Sequence, residues 1–143
     1  MIFTPELELY SVRDGIVQPQ AGLNWCFADA HVNTEDAYIA LTTTFFRDYP
    51  GFFPHHGSII NVTWDDGTIM DCLLEGTQKI NGITYPKQIS SYDDKSVIGH
   101  YLRSRLGVSS TKLITMDDLD RYGRNSISVS RKGANEYYFD FSR

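Results

Sequence analysis

A chain of 143 residues, 41% hydrophobic and 13% aromatic, is long enough for one real core and too apolar to stay disordered. Its opening, MIFTPELELY, has neither the basic region nor the apolar stretch of a signal peptide, and no apolar run approaches the roughly 18 residues of a membrane helix. The net charge of −5 argues against a polyanionic partner, but it is unevenly spread: residues 1–75 carry −9 and residues 76–143 carry +4. Either the halves interleave and neutralise each other, or the second half faces a polyanion; charge alone leaves both open. Cys26 and Cys72 have no CxxC or CxxH spacing and read as buried reduced thiols of a cytosolic protein.

In chain order, ELELYSVRDG alternates from Leu7 and ends in an Asp-Gly turn, which predicts a strand. GLNW reads as a tight turn running into an anchored tryptophan. Residues 26–36 lack steady periodicity, and a small domain rarely keeps so long an irregular loop unless the loop works or is disordered. AYIALTTTFF predicts a strand followed by a turn, and RDYPGFFPHHG, with two prolines and two glycines, predicts a loop. In SIINVTWDDGTIMDCLLEG, two β-rich runs flank Asp65-Asp66-Gly67, a hairpin signal. TQKINGITYPKQISSYDDKS predicts a second long polar loop. Ile98, Leu102 and Leu106 fall at i, i+4 and i+8, with Gly107 as C-cap and Asp94 or Ser96 as start, so residues 96–106 are predicted helical. TMDDLDRYG predicts a short helical turn between Thr115 and Gly123, and SISVSRKGANEYYFDFS a closing hairpin turning at 131–135. Six or seven strands with one solid helix predict a mainly β, antiparallel barrel or sandwich in a single domain over 1–143.

Catalytic signals are weak. GxSxG, GxxxxGK[ST], HExxH and HxKxxxxD are all absent from the sequence. His55 and His56 are adjacent and read as an exposed loop pair, Asp65 and Asp66 as turn chemistry, and Asp117 and Asp118 as first-turn helix acids. The loop at 76–95 carries more. Gln78, Lys79, Asn81, Lys87, Gln88, Ser90 and Tyr92 supply the amides, ammonium groups, hydroxyls and ring that meet base edges, phosphate or sugar in a major groove. Arg103 and Arg105 follow on the helix on diverging faces, where one could point to phosphate.

The fragments GLNW, EDAYIAL, FFP, DDGT, IGHYLRSRLGV, ITMDDLDRYGRNSI and YYFDFS, in this order and spacing, resemble the C-terminal DNA-recognition domain of NgoFVII-like type II restriction endonucleases over Ser11–Ser142. The resemblance implies a B3-like fold, a seven-stranded open pseudobarrel with one or two short helices, related to the recognition domains of EcoRII and BfiI. It also implies two loops, or arms, that grip the major groove. By position these are residues 25–36 and 76–95. The first arm then offers Asp29, His31 and Asn33, with Gln18, Gln20, Asn24 and Trp25 at its approach, and Tyr38 returns it to the barrel. One departure stands out. The family pattern has Gly-Gln-Arg after the tryptophan, whereas this chain has Cys26, Phe27 and Ala28, and no arginine lies between Arg13 and Arg47. Arg124, in YGRNSI, reads as a phosphate contact or, by preference, a structural pair.

These readings converge on a sequence-specific double-stranded DNA-binding module of a bacterial restriction system, cytoplasmic, noncatalytic by itself, without cofactor or metal, with a phospholipase D-type nuclease domain as a further partner. The alternatives are a small β-barrel enzyme with a cleft of His31, His55, His56 and acidic residues, and a protein-interaction module.

Overall fold

The computed structural model describes residues 4–29 and 32–143. The strands are β1 (Glu6–Glu8), β2 (Ile39–Ala40), β3 (Ile59–Trp64), β4 (Ile69–Glu75), β5 (Gln78–Ile80), β6 (Ile83–Tyr85), β7 (Gln88–Ser91), β8 (Ser126–Arg131) and β9 (Glu136–Asp140). The helices are α1 (Thr43–Asp48), α2 (Ser96–Leu106) and α3 (Met116–Tyr122), with a 3-10 helix at Gly22–Phe27. Seven strands form one sheet in the order β1-β8-β9-β3-β4-β7-β2, and β5 and β6 pair separately. The two terminal strands of this order, β1 and β2, approach each other without a hydrogen-bonded ladder, so the sheet curls into a nearly closed pseudobarrel. A groove of about 540 Å³, lined by Tyr10, Val12, Val17, Leu23, Tyr38 and neighbours, lies at this open seam. Every ladder is antiparallel except β3–β9, which is parallel with Val62 opposite Tyr137. No helix of the described residues is long and apolar enough to cross a membrane.

The alternation seen in the sequence is the alternation of the barrel wall. Ile60, Val62 and Trp64 of β3 point inward, as do Met70, Cys72 and Leu74 of β4, Ile127 and Val129 of β8, and Tyr137 and Phe139 of β9. Each such side chain removed from water contributes about 1.5–3 kcal/mol before entropy is counted. Helix α2 presents Ile98, Leu102 and Leu106 to this core, all buried, and ends at Gly107 as predicted. Asp94 Oδ1 accepts from the Ser96 N–H (2.9 Å) and the Ser91 hydroxyl from that of Ile98 (3.0 Å), satisfying two first-turn donors. Helix α3 starts in a capping box between Thr115 and Asp118.

Three local expectations differ from the fold. The threonine run after β2 is helical, because Thr42 acts as an N-cap: its hydroxyl accepts from the Phe45 N–H at 3.1 Å. The resulting α1 drives Phe45 and Phe46 into the barrel end against Phe53 and Tyr85. GLNW is not merely a turn but part of a 3-10 helix that runs on to Phe27. The segment 76–95 is no irregular loop: it holds β5, β6 and β7, whose polar outer faces concealed their pairing.

Candidate nucleic-acid interface

Two excursions from the barrel flank the β2–β7 ladder. The first spans residues 9–38 between β1 and β2; the second spans residues 76–87 between β4 and β7. Because β2 pairs only with β7, as Ile39 with Ile89 and Ala40 with Gln88, the first excursion enters this antiparallel ladder at one end and the second at the other. The sheet thus holds two arms on either side of a two-residue ladder.

The C-terminal arm is a hairpin. Asn81 (φ 52°) and Gly82 (φ 80°) both adopt positive φ, the condition for the tight turn that joins β5 to β6 with Ile80 opposite Ile83. Its inner face is fixed: Ile80 is buried, Tyr85 stacks on Phe46 at 4.6 Å, and Gln78 Nε2 donates to the carbonyls of Leu41 (2.8 Å) and Pro86 (2.9 Å). Its outer surface exposes Lys79, Asn81, Ile83, Thr84 and Lys87. Gln78 is therefore a brace of the hairpin rather than a free reader. Gln88 is half-buried at the start of β7, and Tyr92, 47% exposed, stands beyond its far end.

The N-terminal arm has a fixed stem and an exposed crest. Trp25 packs edge-on against Tyr38 at 5.7 Å, joining its outgoing and returning limbs. Gln20 is exposed, and Gln18 is half-buried with its amide 3.4 Å from Asp14 Oδ2. Asp29 and Asn33 are exposed at the crest. The Asn33 backbone N–H donates to the buried Asp36 carboxylate at 2.8 Å. His31 lies outside the described residues.

Beside Gln78, four more residues expected at DNA are engaged within the fold. Asn24 is fully buried: Nδ2 donates to the carbonyls of Gln18 (3.0 Å) and Ile114 (2.8 Å), and Oδ1 accepts from the Ile114 N–H (2.8 Å). Ser90 is fully buried between Glu75 and Lys95. Arg103, 1% exposed, donates to the carbonyls of Ser109 (2.7 Å) and Lys112 (2.6 Å). Arg105 grips Asp65 through two bonds of 2.8 Å and reaches the hydroxyls of Tyr101 and Tyr122. That pairing with Arg105 holds the Asp65 carboxyl below the usual carboxylate range and pushes the guanidinium up. Both guanidinium groups are thus engaged by partners within the fold. Residue periodicity gave no cue for this, since the two arginines lie on diverging faces of α2 and each finds its partners in distant segments.

The charge halves interleave. Lys95 pairs with Glu75, Arg105 with Asp65 and Arg124 with Glu6, each joining the basic second half to the acidic first. Arg124 also bonds Ser128 and the Ser142 carbonyl, which makes it a structural pair. Lys79 and Lys87 keep no acidic partner among the described residues, and both lie on the C-terminal arm. Exposed Ile83, absent from the sequence reading, sits at the same hairpin tip. The enzyme alternative finds no shared cleft among the described residues: His55 and His56 are exposed in the loop before β3, His100 is on α2, and Asp65 is held by Arg105.

A seven-stranded pseudobarrel is the architecture of B3-like domains. The profile of the NgoFVII C-terminal B3-like DNA-binding domain matches residues 3–132, and the chain belongs to that family. No curated protein matches it.

Proposed function

We propose that this chain is the module that chooses the DNA sequence for a restriction system, reading the major groove with the crest of its N-terminal arm and the outer face of its C-terminal hairpin. The observation that carries the reading is the C-terminal arm itself. It is a braced hairpin whose exposed side chains include two lysines with no acidic partner among the described residues, an asparagine, a threonine and an isoleucine. Lysine reaches guanine or phosphate, and asparagine reads adenine. A branched apolar side chain suits a thymine methyl. The N-terminal arm adds Asp29 and Asn33, with His31 between them in sequence. The chain supplies recognition without catalysis, as one unit acting in the cytoplasm, and cleavage belongs to a partner nuclease of the phospholipase D type.

Selection of bound duplexes from a random library tests this directly. One short motif is enriched, and its substitution weakens binding by about 1–3 kcal/mol per base pair. Retention of all duplexes alike would refute sequence reading.

A further inference from the structure

Helix α2 lies behind the N-terminal arm and touches both of its limbs. On the returning limb, the backbone passes so close to Gly99 that a Cβ built there would lie 1.6 Å from the Glu35 carbonyl oxygen and 3.2 Å from the Ala37 Cβ. Real side chains do not make such contacts, so only glycine lets this limb rest on the helix. Glu35 itself has φ 69°, and its carboxylate meets His100 Nδ1 at 3.0 Å. The Ala37 N–H donates to the Lys95 carbonyl just before the helix. On the outgoing limb, Arg103 Nη2 lies 3.7 Å from Cys26 Sγ, and its guanidinium lies 5.7 Å from the Phe27 ring centroid. The same guanidinium bonds the loop after α2, at Ser109 and Lys112.

The residues that the helix grips flank the crest. Phe27 precedes Asp29 by two positions and Glu35 follows Asn33 by two. A hydrogen-bond contact to a base edge is lost when its donor or acceptor moves by about 1 Å. Asp29 and Asn33 are therefore each held two residues away by contacts with α2.

We propose that Gly99 and Arg103 are positioning residues for the N-terminal arm, and that α2 thereby determines which base pairs that arm discriminates. This rests on the reading that the crest faces the major groove. Arg103 holds the outgoing limb to a fixed loop, and Gly99 sets how deeply the returning limb sits. The interval between the limbs, and hence the placement of Asp29 and Asn33, follows from the two together.

The test compares binding profiles on duplexes substituted one base pair at a time, at fixed salt, for the full chain and its variants. Asp29→Ala and Asn33→Ala identify the base pairs assigned to this arm; Lys87→Ala identifies those of the other. Gly99→Ala is expected to lose discrimination about tenfold at the first set and to keep the second. Arg103→Lys keeps donors for Ser109 and Lys112 but gives up Cys26 and Phe27, and it is expected to do the same while folding normally. It keeps the test decisive should Gly99→Ala fail to fold. An unchanged profile for Arg103→Lys, or an equal loss on all duplexes, overturns the proposal while the arm variants still alter their own set. If the arm variants alter nothing, the reading of the arm fails first, and the proposal with it.

Discussion

Asp65 shows how a residue with a plausible chemical role acquires a purely mechanical one. It sits in the β3–β4 turn, yet its carboxylate accepts two Arg105 donors and the Phe141 N–H at 2.7 Å, joining the turn to α2 and to the strand end after β9. Removing one member of a nearly buried pair strands the other, so Asp65→Ala should cost about 3 kcal/mol in urea unfolding at neutral pH. Its depressed folded-state pKa fixes the sign of the pH effect. The stabilisation is complete above the ordinary carboxylate range and fades as pH falls through that range to the lower folded value. Asp65→Asn should therefore show a flatter loss of stability on acidification than the parent. At the crest, Asp29 is exposed and carries a charge that phosphate repels. Asp29→Ala should bind random duplex more tightly while losing discrimination at one base pair, the pattern of a carboxylate accepting from cytosine N4. Unchanged affinity and unchanged discrimination would instead place Asp29 away from the groove.

Elements were legible where periodicity and punctuation agreed. The 98/102/106 stripe with Gly107 located α2 to the residue, and Asp-Gly located the β3–β4 turn, because core burial and turn conformation each impose their own residue types. The C-terminal arm was legible as polar and not as a hairpin. Its strands are three residues each, and their apolar residues are divided between buried Ile80 and Tyr85 and exposed Ile83, too few to show a period of two. The arginines misled for the opposite reason: Arg103 looks like surface chemistry, while its burial depends on carbonyls from a loop six to nine residues away. On the proposed reading, the polyelectrolyte term falls to the arm lysines. Lys79→Ala and Lys87→Ala should each reduce the slope of log affinity against log salt by about 0.9, provided each meets one phosphate. Arg103→Ala and Arg105→Ala should lower stability instead, and a shallower salt slope in either, with the fold intact, would show that the guanidinium does reach DNA.

For the whole molecule, the pseudobarrel keeps one thiol inaccessible and one within reach. Cys72 is fully buried on β4, and that burial pushes its thiol up to about 12, whereas Cys26 is half-exposed at the arm stem. A thiol reagent at neutral pH should modify Cys26 first and Cys72 only at the rate of global opening; equal rates would mean that the barrel breathes locally. The strand order has a further outcome for assembly in time. The last strand, β9, occupies the middle of the sheet, with β3 on one side and β8 on the other, and its partner β3 lies some 75 residues earlier. While a ribosome is still adding residues 136–140, β3 has one edge bare and the aromatic pair Tyr137 and Phe139 is missing from the core. Such long-range closure is slow compared with hairpin formation. Commitment to the native state therefore waits for β9, and a chain truncated just before Glu136 should remain protease-sensitive and unable to select DNA.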